Sequence, residues 1–169
     1  PGIWDYNNIE LVRLVGDGDS IVNNTSGACD DYTDYTTTHY TTLTLGQPYS
    51  VEVNTGYCSS SSQGGDSIKV FVDWNIDGDF DDTGEVVGAS FLSSTFSFIV
   101  PTNASYGATR MRVVSQYQSP NPTFPSGPVG PCDVGIFSGS YPQPWYGATE
   151  DYSIVISSTA TLANTTYQW

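Results

Sequence analysis

The chain has 169 residues, with 18 acidic against 4 basic side chains and a formal charge of −14. That balance argues against nucleic acid and anionic membranes as partners and favours divalent cations, and no apolar run approaches the roughly 20 residues of a membrane span. The length fits a single domain, and 12 Tyr and 4 Trp among many Ser and Thr suit strands with wet faces. No leader precedes Pro1, so the chain reads as a mature or trimmed form.

In chain order, period-two patterns dominate and no helical stretch is found. Ile9, Leu11, Val12, Leu14 and Val15 make the first run apolar on both faces, which predicts a strand buried on both sides. Gly16 to Asp19 breaks it, and a polar loop is expected to reach Asp34. Thr36–Leu45 and Tyr49–Thr55, separated by Gly46-Gln47-Pro48, read as a hairpin. Ser67–Trp74 follows as a strand with Ile68, Val70 and Val72 on one face. Phe96, Phe98 and Val100 alternate with polar neighbours until Pro101, and Met111 and Val113 alternate with Arg110 and Arg112 over Thr109–Gln116. Residues 118–144 form a Pro/Gly-rich insertion expected to lack regular structure. Tyr152–Ile156 is the last clear strand. These elements predict a single all-β domain, an antiparallel β-sandwich or jelly roll.

Cys29, Cys58 and Cys132 all sit in Gly/Ser/Pro-rich segments with no Cys-x-x-Cys pair. They imply one disulfide plus one free or intermolecular thiol, hence an extracellular setting; the pairing is not legible.

Residues 73–85 carry six acidic side chains. Asp73, Asn75, Asp77 and Asp79 are spaced two apart, Gly78 follows the third, and Asp82 and Glu85 lie beyond. Short oxygen-bearing side chains converging around a glycine turn are the chemistry of a Ca2+ loop. Like charges at about 4 Å repel by about 1 kcal/mol in water and about 4 at an effective dielectric of 20, so a bound cation would relieve the crowding. The alternative is a solvated acidic turn. The match to an EF-hand is incomplete, because Glu85 falls one place late and no helical pattern flanks the loop.

The loop residues Asp73-Trp74-Asn75-x-Asp77-Gly78-Asp79-Phe80-x-Asp82-x-Gly84-Glu85, then Gly107-Ala108-Thr109-Arg110-Met111-Arg112-Val113, then Gly147-Ala148-Thr149-Glu150-Asp151-Tyr152, resemble the GEVED domain family. The resemblance covers roughly residues 9–156, leaving 1–8 as an N-terminal extension and 157–169 as a C-terminal tail. It implies a β-sandwich module of secreted and cell-surface bacterial proteins, non-catalytic, with an acidic metal-type loop. The family's first glutamate is missing here, where Ala148 and Thr149 follow Gly147. Only Glu150 and Asp151 carry over, as metal or structural groups. Arg110 and Arg112 share a strand face and are expected to pair with Glu150 and Asp151 in an ion network.

No nucleophile, zincin or phosphate-loop motif is present, and His39, the one histidine, reads as a mid-strand packing residue, so no catalytic residue is assigned. Two binding roles follow. One is a self-assembling structural subunit of a bacterial surface filament, with Ile9–Val15 or the tail 159–167 donated as a strand to a neighbouring copy. The other is a carbohydrate-binding or adhesion module in which Tyr141, Trp145 and Tyr146 form a glycan platform; anchoring of that loop against the sandwich is the competing role for these aromatics.

Overall fold

The computed structural model describes residues 7–25, 29–58, 66–117, 129–132, 136–138, 141–144 and 146–158. Among them there is no helix. Twelve strands run in order: β1 (Asn7–Val15), β2 (Ser20–Asn24), β3 (Tyr32–Asp34), β4 (Tyr40–Thr44), β5 (Pro48–Tyr57), β6 (Asp66–Val72), β7 (Val86–Phe91), β8 (Ser94–Ile99), β9 (Gly107–Tyr117), β10 (Ile136–Ser138), β11 (Tyr141–Gln143) and β12 (Ala148–Ser157). One sheet has the order β2-β1-β5-β8. The other runs β3-β12-β9-β6-β7, with β4 also on β12. Pairing is antiparallel apart from β3 and β4, which lie parallel to β12. The fold is a β-sandwich.

Alternation explains the packing. Ile68, Val70 and Val72 of β6 and Met111 and Val113 of β9 are fully buried, facing Val12, Leu14, Val51 and Val53 of the other sheet. Each such side chain removed from water is worth about 1.5–3 kcal/mol. The outer face of the second sheet has its own small cluster of Phe71, Phe80, Val114 and Val129.

Four expectations are corrected. First, β1 is buried on one face only: Ile9, Val12 and Leu14 point inward, Leu11 is half-buried and Val15 is exposed, with a bulge between Ile9 and Leu11 resetting the alternation. It pairs with β2 on one side and β5 on the other, so Ile9, Leu11, Val12, Leu14 and Val15 do not form a spare donor strand. Second, the loop expected from Gly16 to Asp34 contains β2, joined to β1 by a tight turn in which Gly16 N–H bonds Asp19 O at 3.0 Å, and also β3. Third, β4 and β5 are not a hairpin. The turn at Gly46 (φ 70°) carries the chain from one sheet to the other, and β4 pairs with β12. Fourth, residues 118–144 include the two-stranded ribbon β10-β11. The boundary positions differ slightly as well, since β1 begins at Asn7 and β12 ends at Ser157.

Cys29 and Cys58 form a disulfide, with Cα atoms 5.7 Å apart, tying the segment before β3 to the end of β5; Cys132 is free and exposed.

Candidate functional site

β6 ends at Val72 and delivers the chain into the acidic loop at one end of the second sheet. The loop's two outermost acids are buried and committed to its own backbone. Asp73 accepts the N–H groups of Ile76 (2.7 Å), Asp77 (3.3 Å) and Gly78 (3.1 Å). Glu85 accepts those of Trp74 (3.0 Å) and Asp82 (3.2 Å). Burial pushes the Glu85 carboxyl above its ordinary range against the pull of those two N–H groups. The Trp74 indole donates to Gly84 O at 3.1 Å and packs against Phe98, closing the loop onto the core. Gly78 and Gly84 hold φ near 96° and 97°, where a side chain would have open space but a strained backbone.

Between these anchors the polar side chains are exposed, and the alternate spacing has a local cause. Asn75 Oδ1 accepts from Asp77 N–H (3.2 Å), Asp77 Oδ1 from Asp79 N–H (3.2 Å) and Asp79 Oδ1 from Asp81 N–H (3.0 Å). Each oxygen at position i caps the backbone at i+2, as an Asx turn does. The Asn75 amide nitrogen then donates to Asp77 Oδ2 at 2.8 Å and to Asp82 Oδ2 at 2.6 Å. The six candidates therefore divide. Asn75, Asp77 and Asp82 come together, Asp79 is linked to Asp81, and Asp73 and Glu85 brace the turn. Among the described residues no three Asp, Glu, His or Cys side chains form a group that could hold a metal ion.

The ion network is a fork with one carboxylate. In the β9–β12 register Arg112 lies opposite Asp151. Arg112 Nε and Nη2 reach Asp151 Oδ1 and Oδ2 at 2.6 and 2.7 Å, and its Nη1 donates to Pro131 O at 2.6 Å. Arg110 adds one bond to Asp151 at 3.1 Å, and the Tyr32 hydroxyl donates to the same carboxylate at 2.9 Å. Arg112 also stands 5.3 Å over the Phe80 ring, joining the fork to the loop's underside.

Glu150 is not in that network. Consecutive strand residues face opposite ways, so Glu150 points into the sandwich. There it accepts the Tyr152 hydroxyl at 2.5 Å, and Asn23 of β2 donates to the Tyr152 oxygen at 2.8 Å. Burial raises the Glu150 carboxyl to about 7. A second buried acid, Asp66, hydrogen-bonded to Asn7, is likewise raised by burial to about 6. Asn23, Tyr152, Asp66 and Tyr32 lie outside the site residues that the sequence singles out. Only Tyr152 was signalled, by its place two residues after Glu150 on one strand face.

His39 is corrected too. It precedes β4 instead of lying within a strand, with Nδ1 3.0 Å from the Thr38 hydroxyl and its ring edge-on to Tyr35 and Tyr152. Of the proposed glycan platform, Trp145 lies outside the described residues, as does the side chain of Tyr141. Tyr146 is half-buried and packs edge-on against Tyr117 at 6.3 Å.

A two-sheet sandwich with an Asx-turn acidic loop at one sheet end and an arginine–aspartate fork across its outer face defines an acidic-loop β-sandwich module. The family model for the GEVED domain matches residues 67–155, just over half of the chain, from within β6 to within β12. The chain belongs to the GEVED domain family. A comparison with curated proteins finds no match.

Proposed function

We propose that the protein is a non-catalytic, extracellular structural module of a bacterial surface filament, with its acidic loop neutralised by Ca2+. The observation that carries the reading is the Asn75 amide nitrogen held between the carboxylates of Asp77 and Asp82. Two exposed carboxylates converge on one side-chain amide, whose oxygen would face a cation if the amide turned over, in a chain whose net charge is −14. Oxygen-rich donor sets of this kind suit a hard divalent cation. Asn75, Asp77 and Asp82, the three that come together, would hold it, and Asp73 and Glu85 would keep the turn in shape. The ion would supply charge neutralisation and rigidity.

The disulfide supports an oxidising location. Self-association is supported by sheet edges: among the described residues, β2 and β8 of the first sheet and β7 of the second each pair on one side only. Those are positions where a donated strand extends a ladder. β1 is spent inside its own sheet, so the tail 159–167, which lies outside the described residues, is the donor we assign. Negative-stain microscopy tests this reading. Filaments that shorten or disappear on chelation, and are absent when residues 159–169 are deleted, are expected; filaments unchanged by both treatments contradict it.

A further inference from the structure

A groove of about 470 Å³ lies on the outer face of the second sheet, between the acidic loop and β9–β12. That volume is in the range of small-ligand sites. Its cationic wall is set by register. Asp151 stands opposite Arg112, while Arg110 stands opposite Ser153, an uncharged residue. Arg112 is consumed by its fork and by Pro131 O, and its side chain is 12% exposed. Arg110 makes one hydrogen bond, to an Asp151 oxygen that already serves Arg112 and Tyr32, and its side chain is 44% exposed. A guanidinium has five N–H donors, so Arg110, which lines the groove, keeps donors beyond the one given to Asp151. Asp34 lies within the field of both arginines, but its hydrogen bonds go to the Thr36 N–H and hydroxyl. Besides Asp73, Thr109 and the free Cys132, the polar lining has the hydroxyls of Thr36 and Ser153 and the exposed carboxylates of Asp79 and Asp81.

A ligand satisfying both walls must bring a carboxylate for Arg110 and several O–H donors for the acceptors opposite. We infer that this groove binds a uronic-acid residue of an acidic polysaccharide, with its carboxylate on Arg110 and its hydroxyls toward Thr36, Ser153 and the Asp79–Asp81 rim. Arg–carboxylate pairs favour planar two-point contact, and the arginine sets the selectivity over neutral sugars. This site is distinct from the aromatic platform and from the Asn75, Asp77 and Asp82 cluster, none of which lines the groove among the described residues.

Titration calorimetry with trigalacturonate, in calcium-containing buffer, tests it against galactotriose as the neutral control and Arg110→Gln as the variant. Near-UV circular dichroism checks that the variant keeps its fold; the Arg112–Asp151 fork is untouched. Saturable trigalacturonate binding, weakened at least about tenfold in Arg110→Gln and about tenfold or more weaker for galactotriose, is the expected result. Binding that survives in Arg110→Gln would mean that calcium bridges the carboxylate to the loop, and would overturn the inference. Equal binding of the neutral sugar, or no binding of trigalacturonate, would overturn it as well.

Discussion

The two faces of β12 hold consecutive carboxylates in opposite ways. On the outer face Asp151, with no exposed side-chain surface, is clamped by Arg112 and touched by Arg110 and Tyr32. On the inner face Glu150 has no cation, only the Tyr152 hydroxyl, and burial lifts its carboxyl to about 7. The difference teaches that sequence adjacency says nothing about charge environment in a strand. Side decides it. Asp151 is a charge kept by pairing, and Glu150 is a charge suppressed by desolvation.

The comparison breaks most sharply at Asp151. Asp151→Ala leaves Arg112 buried without its partner and is expected to cost about 3–5 kcal/mol, read by denaturant unfolding. The same change at Glu150 has the opposite character. With a folded value of about 7 against an ordinary 4.5, Glu150 favours folding while it is protonated. That contribution is fully present below about pH 4.5 and is lost as pH rises through about 7, an effect on the order of 3 kcal/mol. Glu150→Gln should therefore be stabilising at pH 8 and nearly neutral at pH 4. Asp66, raised by burial from 3.8 to about 6, gives a similar loss at lower pH that this variant leaves in place. Urea unfolding of both proteins from pH 4 to pH 8 measures the difference. A stability difference that is the same at pH 8 and pH 4 would show that Glu150 titrates alike in the folded and unfolded chain, and would contradict the burial effect. Tyr152→Phe strips the hydroxyl from Glu150 and Asn23 together and is expected to cost about 2 kcal/mol. The smallest effect belongs to the loop. Gly78→Ala, at a φ of 96° with free space around it, should cost about 1 kcal/mol from backbone strain alone.

What was legible in the sequence follows the same logic of faces. β6, β9 and β12 were readable because apolar residues alternate over most of each strand, with Phe71 and Val114 outside and Glu150 inside as the exceptions. β2, β3 and β7 escaped because they are short strands with polar or mixed composition. The β4–β5 hairpin failed for a non-local reason. Two alternating runs around a turn look alike whether they pair or cross between sheets, and here burial of Leu43 beside β12 decides. In the acidic loop the two-residue spacing was visible, but it had two causes to separate. The Asx turns account for part of it, and only the Asn75 bridge distinguishes Asp77 and Asp82 from Asp73 and Glu85. Asp151 as the partner of Arg112 was foreseeable from the strand pattern, whereas Glu150 was grouped with it by adjacency, which strand geometry reverses.

Thermal unfolding with excess calcium and with a chelator tests the cation reading most directly, with Asp77→Asn/Asp82→Asn as control. At a hundredfold excess over Kd, binding contributes about 2.7 kcal/mol, raising Tm by roughly 5–10 °C, with little response in the double variant. A Tm indifferent to calcium and chelator in the parent protein would contradict a cation-held loop and leave the acidic turn solvated.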